Sequence, residues 1–125
     1  MILHFTKRPL EAGIVVLAIQ GNIHCGPECA RLEREVDGMI AARETRVIFD
    51  MAGVAHADSA AIGAIVRCLT KLKDSGGGLR IAAPQPMIEY SLRLTKVDQI
   101  LGMFPTVEQA SEGFGMLEGN AGQVA

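Results

Sequence analysis

The sequence predicts an α/β domain with a four- to five-stranded sheet and about four helices, because short apolar runs alternate with longer amphipathic segments. Two stretches carry this expectation. Val47, Ile48 and Phe49 form a continuous apolar run, the pattern of a strand covered on both faces. From Ser59 onward Ile62, Ile65, Val66, Leu69 and Leu72 recur at helical spacing, with Arg67, Thr70, Lys71, Lys73 and Asp74 on the complementary face.

In chain order, Ile2-Leu3-His4-Phe5 reads as an edge strand that pairs with Ile14–Ile19 across a turn from Pro9 to Gly13, and Gly21-Asn22 ends the second strand. Pro27 suits the first turn of a helix whose Cys29, Leu32, Val36, Met39 and Ile40 recur at three- and four-residue steps. After the third strand Gly53 punctuates the connection. Asp58 is then an N-cap candidate, since its carboxylate can accept from backbone N–H groups one turn ahead. Gly76-Gly77-Gly78 ends the helix that begins at Ser59 and precedes a strand from Leu79 to Ala83.

Pro84 and Pro86 open a short helix marked by Met87, Ile88, Ser91, Leu92 and Thr95. A last strand is read at Ile100–Phe104, and Pro105 starts a terminal helix towards Phe114 and Leu117. Gly113, Gly115, Gly119 and Gly122 weaken that helix, each glycine costing roughly 1 kcal/mol in a helix interior. Residues 1–112 are therefore expected to form the domain, and 113–125 a Gly-rich C-terminal tail. There is no internal repeat and no linker long enough to separate two domains.

The 125 residues, 49% of them hydrophobic, suffice for one core. A net charge of −2 and 4% aromatic residues leave neither a basic footprint nor stacking platforms, so direct nucleic-acid binding is not expected. No signal peptide is visible, and no run approaches the length of a membrane span. The expected location is the cytoplasm, with the three cysteines as free thiols.

Ser59 stands where the unpaired N–H groups and the positive end of the helix dipole favour an added anion. A phosphoryl group there has a physical place to go. Serine is also simply a residue type that helix starts favour, whatever the function.

The strand followed by Asp58-Ser59-Ala60-Ala61-Ile62-Gly63 resembles the hallmark Asp-Ser-Ser/Thr-Gly-Leu-Gly of the STAS domains, named for sulphate transporters and anti-sigma factor antagonists. The resemblance continues through Lys73-Asp74-Ser75-Gly76-Gly77, Leu79–Ala83, and Phe104 followed by Val107-Glu108-Gln109-Ala110, covering roughly residues 10 to 111. It implies a single STAS-like domain, a mixed sheet and helices mainly on one face. In antagonist members the serine after the motif aspartate is phosphorylated by an anti-sigma factor that is itself a serine kinase.

By that resemblance Ser59 is the phosphoacceptor, and Asn22, His24, Asp58, Ala60, Ala61 and Ile62 form the surface that meets the kinase. The protein is then a transcription regulator acting indirectly, a substrate and binding partner rather than an enzyme, with no cofactor. A homodimer stays open. The chain departs from the pattern where Ala60 replaces a hydroxyl residue and Ala61 the motif glycine, the added methyl standing near backbone that a partner approaches. It departs again where Gly21-Asn22-Ile23-His24 lacks the acidic residue antagonists often carry. His24 can attract a phosphate there, or serve only as an exposed loop histidine. The alternative is a STAS subunit without a switch, a scaffold in a transporter or signalling assembly.

Other constellations are weaker. His24, Cys25 and Cys29 match no common zinc spacing, so no metal site is assigned. Gly76-Gly77-Gly78 lacks the Lys-Ser/Thr of a P-loop, and His56, Asp58 and Ser59 lie too close in sequence for a hydrolytic relay. Lys71 and Lys73 read as a solvated helix face.

Overall fold

The computed structural model describes residues 3–24, 26–112 and 114. The expected terminal positions Ile2 and Leu117, most of the expected tail, and Cys25 lie outside the described residues. The elements are β1 (His4–Pro9), β2 (Ile14–Ile23), α1 (Pro27–Ala41), β3 (Arg46–Ala57), α2 (Ser59–Asp74), β4 (Gly78–Ala82), α3 (Pro86–Leu94) and β5 (Gly102–Phe104). Residues 107–112 form a last helix, α4. Short 3-10 turns occupy Glu11–Gly13 and Val97–Gln99.

The five strands lie in the order β1-β2-β3-β4-β5. β1 pairs antiparallel with β2 and the remaining neighbours are parallel, which makes the sheet mixed. Each parallel crossover steps the same way along the sheet. Because such crossovers are right-handed, α1, α2 and α3 all fall on one face. Strand alternation then sorts the side chains. Val15, Leu17, Ile19, Val47, Phe49 and Ile81 meet Leu32, Val36, Ile65 and Leu72 in the main core, where each fully buried side chain contributes about 1.5–3 kcal/mol.

On the opposite face Ile14, Val16, Ile48 and Ala82 are covered by Ala110 and Phe114. Arg80 is buried there with its guanidinium 4.9 Å from the Phe104 ring and 5.1 Å from the Phe114 ring. Burial pushes its pKa below the usual guanidinium range, and the two ring faces supply attraction in place of lost water.

Several boundaries differ from the sequence reading for local reasons. β1 runs on to Pro9, because Thr6, Lys7 and Arg8 pair with Ala18, Leu17 and Val16, and charged residues suit an edge strand. β2 does not stop at Gly21-Asn22 but continues to Ile23, and β3 passes through Gly53 to Ala57. Gly53 is a point of close approach: a Cβ there would stand 3.1 Å from the Ile19 carbonyl oxygen and 2.8 Å from Gln20 Cγ. β4 ends at Ala82, since Ala83 turns into the left-handed region with φ 55°.

β5 is shorter than Ile100–Phe104, because the 3-10 turn at Val97–Gln99 precedes it and Ile100 is exposed. Met87, one of the residues that mark α3, is 66% exposed, while Ile88 and Leu92 carry the buried stripe. The last helix begins after Thr106 rather than at Pro105, with Thr106 Oγ1 accepting the Gln109 N–H at 3.1 Å. Gly77 packs against Thr45 so closely that a Cβ would overlap its carbonyl, so the triple glycine serves a tight chain crossing.

Candidate functional site

The site is built where the C-terminal ends of β2 and β3 meet the start of α2. Asp58 caps that helix, its Oδ1 accepting the Ala61 N–H at 2.9 Å, while the Asp58 N–H donates to the Ile23 carbonyl at 3.2 Å. The second bond ties the end of β2 to the helix start, with His24 and Ser59 the next residues on each side. Ser59 is the first residue of α2 and is exposed. No acidic side chain follows it in the first turn.

His24 is exposed, and Asn22, Asp58 and Ala60 are half-buried. Ala61 is fully buried, Ile62 is buried too, and both belong to the main core. They sit on the third and fourth positions of α2, the side of the first turn that faces the sheet. The Ala61 methyl therefore points into the core, not towards an approaching protein.

What the sequence reading did not bring together is a groove of about 240 Å³ whose walls include His24, His56, Asp58, Met87, Ile88 and Ser91. It lies between the helix start and α3. Its geometry comes from two register shifts along β2 and β3, one between Ala18 and Gln20 and one between Gly21 and Ile23. Ala55 and His56 stand in the second, where Gly21 pairs with Val54 and Ile23 with Ala57. Such bulges re-aim side chains, and here one places an exposed imidazole on the groove. Met51 and Val54, three apart and both buried, reflect the first shift.

Behind the site α2 is tied to α1 by exposed ion pairs. Arg67 donates from Nε and Nη2 to Glu33 Oε2 at 3.1 and 2.9 Å, and Lys71 Nζ lies 3.1 Å from Asp37 Oδ1 and 3.5 Å from Glu33 Oε1. Lys71 is thus part of an interhelical network rather than a purely solvated face. The Arg67 hydrogen bond holds the Glu33 carboxyl below its usual range, against a smaller opposing effect of burial. Cys29 and Cys68 are buried, the Cys29 thiol donating to the His24 carbonyl at 3.2 Å, and burial pushes the Cys68 thiol up to about 12. Among the described residues no group of three His, Cys, Asp or Glu side chains is arranged to hold a metal ion, and no helix is long and apolar enough to cross a membrane.

The sequence model of the STAS domain matches residues 8–110. The chain belongs to the STAS domain family. A Thermotoga maritima protein that carries the provisional name anti-sigma factor antagonist is 30% identical to this STAS domain over 67 residues, 54% of this chain and 59% of that protein. The match thus spans little more than half of that relative's length. A crystal structure from the same organism, of a protein with the same provisional name, superposes with a TM-score of 0.81 at 22% identity, covering 88% of this chain and 93% of that one. The Bacillus cell fate determinant SpoIIAA in its phosphorylated form superposes with a TM-score of 0.67 at 16% identity, over 87% and 97% of the two chains. A sulfate transporter family protein of Wolinella succinogenes gives 0.70 at 16% identity, over 88% and 91%. At these identities the superpositions establish the fold: a five-stranded mixed sheet with four helices.

Proposed function

We propose that this STAS domain is an anti-sigma factor antagonist, bound by an anti-sigma factor with serine kinase activity and released when that kinase phosphorylates Ser59. The observation that carries the reading is the exposed serine at the first position of an Asp58-capped helix whose first turn has no acidic side chain. Two added negative charges meet the positive end of the α2 dipole there, beside the Asp58 cap and with no further acidic side chain in the first turn. The name of the Thermotoga maritima relative points the same way.

The partner surface is formed by Asn22, His24, Asp58, Ser59 and Ala60 at the ends of β2 and β3. Phosphorylation adds bulky hydrated oxygens to a surface that must lose water on binding, and so ends the complex. The protein acts in the cytoplasm as a substrate and regulator, not as an enzyme, and affects transcription through the released sigma factor.

Incubation with the kinase and ATP, followed by intact-mass comparison, tests the reading. The wild-type protein gains one phosphoryl group and Ser59→Ala gains none. Modification of Ser59→Ala to the same extent overturns the assignment. A second reading, a scaffold subunit of a transporter assembly, is favoured by the Wolinella succinogenes superposition and by alanine at position 60. It predicts a stoichiometric complex whose affinity Ser59→Asp leaves unchanged.

A further inference from the structure

We propose that α3 is a self-association surface, its exposed side pairing antiparallel with α3 of a second copy of this chain about a two-fold axis. The large apolar side chains that stand exposed among the described residues are Met87, Tyr90, Leu94 and Ile100, at 66, 61, 67 and 55%. All four lie on α3 or just after it. Met87, Tyr90 and Leu94 are three and four residues apart and share one side of the helix, while Ile88 and Leu92 hold its other side in the core. Packing within one copy does not account for such a stripe.

The charges beside the stripe say what fits it. Glu89 and Arg93 flank it on one side, one turn apart, and α3 holds no other charged side chain. In an antiparallel pair about a two-fold axis, a flank meets its own copy reversed. Glu89 then faces Arg93 of the second copy, and Arg93 faces Glu89. The same register sets Met87 against Leu94 and Tyr90 against its own counterpart, every pairing centred on residues 90–91. Apolar and charged positions therefore agree on one arrangement, and a second copy supplies both the stripe and the opposite charge.

Within one copy Arg93 donates from Nε and Nη2 to Glu89 Oε2 at 3.1 and 2.8 Å, and its Nη1 lies 3.7 Å from Asp98 Oδ2. Both hydrogen bonds fall on Oε2, which leaves Glu89 Oε1 to accept from the guanidinium of the second copy. The helix is already held at both ends: Gln85 Nε2 donates to the Ala52 carbonyl and Thr95 Oγ1 to the Ser91 carbonyl, each at 2.8 Å, so pairing orders little backbone. Covering the stripe removes roughly 500 Å² from water per copy, the low end for specific association, and the expected product is an exchanging dimer with a Kd between about 10 µM and 1 mM. Met87 also lines the groove beside Asp58, so pairing covers ground next to the start of α2 whatever the role of Ser59.

Sedimentation velocity of the full chain from about 5 µM to about 1 mM tests the proposal. The wild type is expected to pass from monomer towards dimer across that range. Tyr90→Ser should weaken the dimer about ten-fold or more, since it removes both rings that meet on the axis. Glu89→Arg and Arg93→Glu each leave a flank of one sign and should weaken self-association several-fold, while an equimolar mixture of the two restores it because each flank then faces its opposite. Circular dichroism checks that these exposed substitutions leave the fold intact. A wild type that stays monomeric at about 1 mM overturns the proposal, as does a dimer that the folded Tyr90→Ser and single charge variants leave unchanged. Co-sedimentation of a monomeric chain with anionic vesicles, or with the anti-sigma factor, lost in Tyr90→Ser, assigns the stripe to that occupant and overturns the second copy.

Discussion

The starts of α1 and α2 solve one problem in two ways. Both helices pack on the same core, yet α1 begins at Gly26 with no side-chain cap, a proline in its first turn and Glu28 to meet its dipole. α2 begins with the Asp58 cap, an exposed serine and no acidic residue in the first turn. The first start is electrostatically complete. The second has its carboxylate at the cap itself and an exposed serine beside it, and the groove with its two histidines opens next to that start.

The largest effect that separates them comes from the fourth helical position. In α2 this is Ile62, buried in the main core, while in α1 it is Ala30, which is exposed. Ile62→Ala is expected to cost about 2–3 kcal/mol, the low end for removing buried isoleucine atoms, whereas Ala30→Ser stays within about 0.5 kcal/mol. Urea unfolding of the two variants measures both. Equal losses would mean that the two helix starts are anchored alike, against the burial pattern.

The caps come next. Asp58→Ala is expected to lose about 1 kcal/mol, and Asp58→Asn or Asp58→Ser to recover most of it, because each supplies an oxygen to the Ala61 N–H. Gly26→Ala is expected to lose about 1 kcal/mol or more, because φ there is 101°, and no side chain recovers it. Thermal melts of these variants read the contrast directly. Recovery at position 26 by asparagine to the glycine level would show that α1 also relies on a side-chain cap.

Most of this was legible in the sequence wherever a residue's partners lie close along the chain. The Asp58 cap, the α2 stripe and the crossover of buried strands follow from local spacing and from the hand of parallel connections. The family pattern singled out Ser59, the exposed first residue of α2. A motif shows which positions are fixed, not which way they face, and helical phase turns Ala61 and Ile62 towards the sheet. The groove was hidden for another reason. It depends on two bulges that break strand periodicity after Asp50, and on α3 arriving from residues some thirty positions later.

The smallest effect concerns how the two helices are held together away from their starts. Glu33 on α1 accepts from Arg67 on α2, and that hydrogen bond, with the Arg67 and Lys71 charges, lowers the Glu33 pKa despite partial burial. A carboxyl lowered on folding adds stability that is fully present above its unfolded pKa, about 4.3, and is lost as pH falls through the folded value. Glu33→Gln should therefore lower the melting temperature slightly at neutral pH, by less than Asp58→Ala because the pair is exposed, and the difference should vanish in acid and shrink with added salt. Raising the pH from 7 to 9 should leave it unchanged. Phosphorylation of Ser59 should proceed at the wild-type rate in this variant, since the cap and groove that build the site lie several turns away from the ion pairs. A slowed rate at unchanged fold would mean that the seating of α2 on α1, and not the helix start alone, sets how the serine is presented.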